Sequence, residues 1–389
     1  MDVLELIIKR LPLNDCLRIR ATCRSCRKTV SNFIEKKRCC HLPELPLVFL
    51  ESKKSTFYYS LSTKSVCHLR TLLGRTNACV GSVDGWLILC DYSENGFGKF
   101  FFLNPITDVR ITIPSKLQLP SSAQYDGIVP VRKMVASSKP NCDGSDCYLV
   151  GLLSDNCHIA IYKLFDKSWT IVEPDKELGT YFADVEIIGT KLYAAVLSSQ
   201  SIFVYDLKDS TNGPPAVLAK LPNIRPSESL FNCFCFLAKD EALRELYFIY
   251  MFCTSEHEIE HVFSISDHLK VSSSFSKPPQ INGFEVYKLD TDKDPPIGWQ
   301  NVKLEDRVVF LSYCKTMIIS RDELNCNEEV IRGNSIYFSF IFPSPIINPQ
   351  SGLELGMFCL TDGSIKYFSV ETSKHGDVPF PSWFVPNLW

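Results

Sequence analysis

A short motif of apolar, aromatic, any and Leu residues recurs six times between residues 58 and 360. Each copy is followed by a polar turn, such as Ser62-Thr63-Lys64, and then by another strand-like run. Most copies are also preceded by one or two apolar stretches. This arrangement predicts an antiparallel meander of about four strands around each copy. The copies are Tyr58–Leu61, Phe100–Leu103, Ile161–Leu164, Val204–Leu207, Val286–Leu289 and Met357–Leu360.

The spacing of the copies indicates the architecture. They begin at residues 58, 100, 161, 204, 286 and 357, so successive copies lie 42, 61, 43, 82 and 71 residues apart. The shortest separations match the roughly forty residues of a four-stranded propeller blade, and the longer ones indicate inserted loops. An aromatic content of 12% also favours β-structure. We predict a mainly β fold, a β-propeller of about six blades, with two β-sandwiches as the alternative.

The first forty residues follow a helical periodicity instead. One predicted helix ends at Pro12, a second begins at Asn14 or Asp15, and a third ends near residue 35. Residues 1–41 carry 10 Lys and Arg against 4 Asp and Glu, whereas the remainder carries 31 against 40. We predict a short three-helix segment at 1–41, which must dock its apolar face elsewhere, and a β domain at 42–389. The apolar stripe of the first helix is Leu4, Ile7, Ile8 and Leu11.

The N-terminal segment VLELIIKRLPLNDCLRIRATCRSCRKTV resembles an F-box, the helical module that binds the Skp-type adaptor of SCF ubiquitin ligases. The matching features are Arg10–Pro12, the spacing from Asp15 and Leu17 to Cys23, and the Cys23-Arg24 pair. The usual opening Leu-Pro is absent, which is expected of a shortened N-terminus, and Cys26 replaces the usual Trp. The resemblance implies that the adaptor is bound by Val3, Leu4, Ile7, Leu11, Pro12 and Leu17.

The body resembles the β-propeller of the KIB-type, a large plant group of F-box proteins. Its more specific matches are Asn104-Pro105 after an aromatic strand, the segment from Asp306 to Leu311, and the closing PSWFVPNL. The resemblance implies the substrate-recognition subunit of an SCF-type E3 ligase, in which the propeller binds an unknown target protein. No catalytic residue and no cofactor are then expected. The alternative is a non-catalytic binding propeller whose degenerate F-box is no longer coupled to ubiquitination.

The segment His257-Glu-Ile-Glu-His261 matches the helical zinc-peptidase pattern in its letters. Its apolar residues alternate with a period close to two, which predicts a strand. Two histidines four positions apart on a strand are about 13 Å apart, whereas two nitrogens on one zinc are within about 4 Å. We therefore do not expect a metalloprotease. The isolated His158 is interpreted as structural or solvated.

The cysteines raise the question of metal binding and compartment. Cys23-x-x-Cys26 with Cys39-Cys40-His41 permits a zinc knuckle by spacing, but we expect Cys23 and Cys26 to be buried thiols in a helical bundle. The 17 cysteines are interpreted as free, in a reducing compartment. With no spanning segment and no secretory signal, we expect a cytoplasmic and/or nuclear protein with no membrane and no nucleic-acid partner.

Overall fold

The structure, a computed structural model, describes most of the chain. The described residues are 3–8, 19, 22–35, 45–51, 56–68, 77–93, 97–114, 116–118, 131–140, 147–173, 181–196, 201–208, 213–222, 233–254, 280–289, 298–324, 330–341, 353–368, 370 and 381–386. They contain two helices near the N-terminus, followed by twenty-six strands.

The two helices, α1 (Val3–Ile8) and α2 (Arg24–Glu35), contact each other. Ile8 and Val30 are both fully buried. α2 spans the third helix predicted from the sequence, while most of the second predicted helix lies outside the described residues. The set of three helices, and the boundary between residues 41 and 42, therefore stay predictions.

The strands of the described part form five hydrogen-bonded sheets, four of which are small. One contains β1 (Leu47–Glu51), β2 (Thr56–Ser60), β3 (Ser65–His68) and β26 (Ser382–Phe384). The next contains β4 (Asn77–Val83), β5 (Trp86–Asp91), β6 (Phe97–Asn104), β7 (Val109–Thr112) and β8 (Leu117–Gln118). The third sheet contains β9 (Val131–Ala136), β10 (Tyr148–Leu153), β11 (Ile159–Lys163) and β12 (Thr170–Val172). The fourth contains β13 (Phe182–Ile188), β14 (Lys191–Val196), β15 (Ser201–Asp206) and β16 (Val217–Pro222).

The fifth sheet has nine strands in the order β20-β19-β18-β17-β22-β21-β23-β24-β25. Its two halves meet at a single parallel pair, Asp240 with Ile318. The strands are β17 (Cys233–Asp240), β18 (Glu245–Thr254), β19 (Gln280–Leu289), β20 (Trp299–Asn301), β21 (Arg307–Ser312), β22 (Thr316–Ser320), β23 (Ser335–Ile341), β24 (Leu353–Cys359) and β25 (Ile365–Tyr367).

The repeated motif has the same structural position in every copy. The copies lie on, or end just after, β2, β6, β11, β15, β19 and β24, each of which is next to an edge strand of its sheet. The closing leucine is buried in five copies, from Leu61 to Leu289, and half-buried in the last, at Leu360. The motif therefore reflects a strand that packs against a neighbouring sheet on each face.

The sheets follow one another in a ring. Buried apolar side chains of the described residues form six clusters, each shared by sheets or half-sheets that are consecutive around that ring. β26, from the C-terminal end, pairs antiparallel with β1 and contacts both β4 and β21. A β-propeller is closed in this way, because its first and last strands share one sheet. The predicted propeller is confirmed; the count of six blades agrees with the six clusters but stays a prediction, since one sheet is continuous over nine strands.

Gly81 on β4 is required by a close approach between sheets. A Cβ at this position would lie 2.0 Å from the carbonyl oxygen of Met134 on β9. The hairpin that follows turns through Asp84 and Gly85, both at positive φ (44° and 83°). Such a two-residue turn matches the twist of the strands that it connects and is favoured by the Asp-Gly sequence.

Candidate functional site

Helix α1 has two apolar faces. Leu4 is half-buried and Ile8 fully buried on the face toward α2, whereas Val3, Leu6 and Ile7 are 70%, 48% and 45% exposed. Residues three and four positions apart share a helix face, so the exposed three form one continuous patch. Apolar side chains grouped on a surface in this way are typical of a protein-binding site.

The predicted adaptor residues fall into three groups. Val3 and Ile7 lie in the exposed patch, and Leu4 is turned toward α2. Leu11, Pro12 and Leu17 lie outside the described residues. The sequence reasoning did not include Leu6, although its position three residues after Val3 places it on the same face.

Cys23 caps the start of α2 rather than lying in a bundle core. Its sulfur accepts a hydrogen bond from the Cys26 N–H at 3.3 Å, and its carbonyl oxygen accepts one from the Arg27 N–H at 2.9 Å. Cys23 is exposed and Cys26 half-buried, so the expected burial was wrong for Cys23. These hydrogen bonds hold the pKa of the Cys23 thiol below its ordinary value.

A second candidate region is the circle of inner strands around the propeller axis, where the buried charges of the body are concentrated. Lys133 on β9 donates to Asp184 on β13 at 2.8 Å, and both side chains are almost fully buried. The carboxylate oxygen Oδ2, to which Lys133 also donates at 2.9 Å, accepts the backbone N–H of Leu237 on β17 at 2.8 Å. Asp184 therefore links three consecutive sheets. Beside it, the guanidinium of Arg132 donates to the carbonyl of Ala183.

A second charge pair lies between β13 and β17, and its two charged groups are farther apart than those of Lys133 and Asp184. The Lys239 ammonium is 4.0 Å from Glu186 Oε1 and 2.5 Å from Glu241, whose side chain is 65% exposed. Glu186 is fully buried; its Oε1 accepts the N–H of Ile187, but its Oε2 has no hydrogen-bond partner among the described residues. A buried carboxylate oxygen without a donor is costly, so Glu186 is a position where a further donor would bind favourably.

The turn between β21 and β22 extends across the ring. Its Cys314 thiol donates to the carbonyl of Cys79 on β4 at 3.3 Å, and the Tyr313 ring packs against Phe340 with centroids 4.8 Å apart. The same ring contacts Phe234 on β17. Burial raises the pKa of Cys314 to about 12 and also raises the pKa of Tyr313 above its ordinary value. This turn therefore packs between strands from both sides of the axis.

His158 is part of a third charged cluster, at the end of the sheet that begins with β9. Its Nδ1 is 2.5 Å from Asp155 and its Nε2 is 3.0 Å from Glu173. The hydrogen bond with Asp155, helped by the charge of Glu173, raises the pKa of His158 despite its burial. His158 is therefore structural, one of the two interpretations given above.

No group of three His, Cys, Asp or Glu side chains that suits a metal ion is present in the described part of the chain. The HEIEH segment and Cys39 to His41 lie outside it, so the interpretations of both stay predictions. Neither of the described helices has the length and apolar character needed to cross a bilayer.

Comparison with known families agrees with both parts of the fold. Residues 1–38 match the F-box domain, and residues 58–369 match the family described as KIB1-4 beta-propeller. The chain belongs to the KIB1-4 beta-propeller family. A curated relative, F-box protein At3g56470 of Arabidopsis thaliana, is 30% identical over 115 residues. That alignment covers 29% of this chain and 29% of the relative, so less than a third of the relative's length is matched.

Solved structures with a similar fold are distant in sequence. TolB from Acinetobacter baumannii has a TM-score of 0.42 at 10% identity, over 94% of this chain and 73% of TolB. The Cps50 (Swd1) beta-propeller domain of Myceliophteria thermophila has a TM-score of 0.36 at 9% identity, over 83% and 93%. The periplasmic gluconolactonase PpgL of Pseudomonas aeruginosa has a TM-score of 0.39 at 12% identity, over 86% and 98%. Similarities this weak carry no information about the function of the KIB1-4 propeller.

Proposed function

We propose that this protein is the substrate-recognition subunit of an SCF-type E3 ubiquitin ligase. The observation that carries the proposal is the exposed apolar patch of Val3, Leu6 and Ile7 on a helix within the F-box match. The F-box match supports a Skp-type adaptor as the partner of this patch. The propeller would then bind a target protein through the loops that connect its strands.

In this function the protein performs no bond chemistry, because ubiquitin transfer belongs to other subunits, and no cofactor is required. The adaptor interface would comprise Leu6 together with the residues inferred from the F-box resemblance, namely Val3, Leu4, Ile7, Leu11, Pro12 and Leu17. A cytoplasmic and/or nuclear location is part of the same proposal. We propose neither a nucleic-acid nor a membrane partner.

The test is co-precipitation of the purified chain with a Skp-type adaptor. The chain offers a matched pair of variants, because Leu6 on α1 is 48% exposed and Leu243, in the turn after β17, is 47% exposed. Leu6→Asp should weaken adaptor binding at least about tenfold, since it places a charge in the apolar interface. Leu243→Asp should leave binding unchanged.

If the adaptor is not recovered although the propeller is folded, the proposal is refuted. It would favour a binding propeller whose F-box is uncoupled from ubiquitination, consistent with Cys26 at the position of the usual Trp. An equal loss of binding in both leucine variants would show that the α1 patch is not the interface.

A further inference from the structure

The inner strands carry more cationic than anionic side chains that are at least half-buried. Lys133 on β9 and Lys239 on β17 are buried, and Arg132 on β9 and Lys315 before β22 are half-buried. The buried carboxylates beside them are Asp184 and Glu186, because the buried Asp240 is already paired with Arg307. Further acidic groups near this cluster, Glu241 and Asp84, are exposed at its rim, where solvent screens their charge. Charges partly removed from water need partners, so a half-buried ammonium without a counter-charge is unfavourable in the absence of a bound anion.

The partners of these cations show where the excess lies. Lys133 is fully paired with Asp184, and Arg132 donates to a neutral carbonyl. Lys239 has only the distant Glu186 and the exposed Glu241. Lys315 forms no ion pair with any residue that the structure describes.

Lys315 is held beside the other charges by the backbone. Its carbonyl and N–H both bond to Ser312, which closes the β21–β22 turn. The parallel pairing of Asp240 with Ile318 places the start of β22 alongside the part of β17 that contains Lys239. Burial lowers the pKa of Lys315, and the neighbouring ammonium groups of Lys239 and Lys133 act in the same direction against the opposing charge of Glu186. Lys315 as a whole is half-buried, so part of this residue borders solvent.

We propose that Lys315 and Lys239 bind an oxyanion at the propeller axis, and that the unpaired Oε2 of Glu186 accepts a hydrogen bond from the same ligand. The ligand is then a phosphate or carboxylate compound that also carries an O–H or N–H donor. Two ammonium groups supply charge-assisted hydrogen bonds to the anion. The buried carboxylate of Glu186 makes the site selective, because it rejects an anion that has acceptors only. This inference does not depend on adaptor binding.

The experiment compares inorganic phosphate with sulfate at pH 6.5 and constant ionic strength, using the full chain. Phosphate carries an O–H donor at this pH and sulfate does not. Binding is measured by calorimetry and by the shift in thermal midpoint, since a ligand that binds only the folded state stabilises it. We expect phosphate to bind at least about tenfold more tightly than sulfate, because an unmade hydrogen bond to a buried charged group is lost with sulfate.

Three variants distinguish this site from general salt effects. Lys315→Met should weaken phosphate binding at least about tenfold and still fold, because it removes a partly buried unpaired charge. Glu186→Gln should abolish the preference for phosphate over sulfate, since the amide donates to either anion. Lys191→Gln, at an exposed lysine on β14, is the matched control and should behave like the wild type. If Lys315→Met does not fold, Lys315→Gln replaces it, and Glu186→Gln tests the selectivity independently.

Equal phosphate binding by the wild type and Lys315→Met would overturn the proposal, as would an equal loss in Lys191→Gln. Unchanged selectivity in Glu186→Gln would overturn the assigned role of that carboxylate. A five-residue peptide with one phosphoserine identifies the source of the anion. Tighter binding of the peptide than of inorganic phosphate, lost in Lys315→Met, would show that the group is carried on a polypeptide; tighter binding of inorganic phosphate would show that it is free.

Discussion

Asp184 is expected to be the most sensitive charged position of the ring. Its carboxylate accepts two hydrogen bonds that cross sheet boundaries, one from the Lys133 ammonium at 2.8 Å and one from the Leu237 N–H at 2.8 Å. The Lys133 and Asp184 side chains are only 1% and 3% exposed. Asp184→Leu leaves a buried ammonium without a counter-charge and removes the acceptor of two buried N–H groups, those of Leu237 and Val185. Breaking a buried ion pair on one side costs about 3–5 kcal/mol, and each orphaned N–H adds about 1–3 kcal/mol.

A double variant separates the energetic contribution of the ion pair from that of the hydrogen bonds which backbone N–H groups donate to Asp184. In Lys133→Met combined with Asp184→Leu, both charges are replaced by apolar groups of similar size, and the N–H groups of Leu237 and Val185 still lose their acceptor. Replacement of a whole buried pair is often close to neutral, so the double variant should be more stable than Asp184→Leu alone by about 2 kcal/mol or more. Asp322→Leu, at an exposed acid in a turn after β22, should change stability by less than about 0.5 kcal/mol.

The assay is equilibrium unfolding in urea, followed by tryptophan fluorescence and by circular dichroism. Trp383 is fully buried and Trp86 nearly so, which makes the fluorescence sensitive to opening of the ring. Coincident transitions from the two probes are needed before free energies are compared. If Asp184→Leu costs less than about 1 kcal/mol, or the double variant is no more stable than the single one, the carboxylate is not the inter-sheet link inferred from the structure.

Three further expectations follow from the packing. His158→Gln should destabilise the protein most at low pH, because Asp155 raises the folded-state pKa of His158 above its ordinary value. The stabilisation that His158 supplies is complete below about pH 6.5 and is lost as the pH rises through the folded-state pKa. Urea midpoints of the wild type and the variant across pH 5.5–8.5 would show this dependence. Gly81→Ala should lower the thermal midpoint, by an amount equivalent to about 1–3 kcal/mol, because its Cβ would overlap the Met134 carbonyl; an unchanged midpoint would contradict the close approach. Trp383→Phe removes the hydrogen bond at 3.0 Å to a β21 carbonyl and should cost about 1–3 kcal/mol by urea unfolding, with a cost near zero as the contrary result.

The repeated motif could be identified in the sequence because its position is local. An aromatic residue and a closing leucine on the strand next to each sheet edge recur wherever that strand packs between two sheets. The pairing that closes the ring of sheets could not be derived from local sequence patterns in the same way. The pairing of Leu47 with Phe384 joins residues more than three hundred positions apart, and periodicity along the chain contains no information about such a contact.

The orientation of the N-terminal helix is another feature that the sequence pattern did not predict correctly. The apolar stripe was predicted to contain Leu4, Ile7 and Ile8 together, but Leu4 and Ile8 face α2 while Ile7 is exposed with Leu6. A helix with apolar residues on more than one face does not reveal which face is covered. The position of α2 decides this, and that position follows from tertiary packing rather than from the spacing of residues in α1.

The axial charges were missed although the sequence contains a signal for them. Lys133, Asp184, Glu186 and Lys239 each interrupt an otherwise apolar inner strand, as in VRKMVA, FADVEII and CFLAKD. A charged residue on a buried strand needs a partner, so several such strands together predict a buried network. The sequence does not show which strands are neighbours, and the pairing of these charges therefore required the structure.

Ring closure and the axial charges depend on each other. The buried network exists only while β26 holds the first and last sheets together, because an open ring would expose the inner strands to water and remove the electrostatic cost of the unpaired lysine. An anion that occupies the axis therefore binds the closed ring and not the open one. By linkage it stabilises the closed state by the same free energy with which closure improves its binding. An ammonium group at the axis without a counter-charge lowers the stability of the empty propeller, and the same group makes closure sensitive to a ligand.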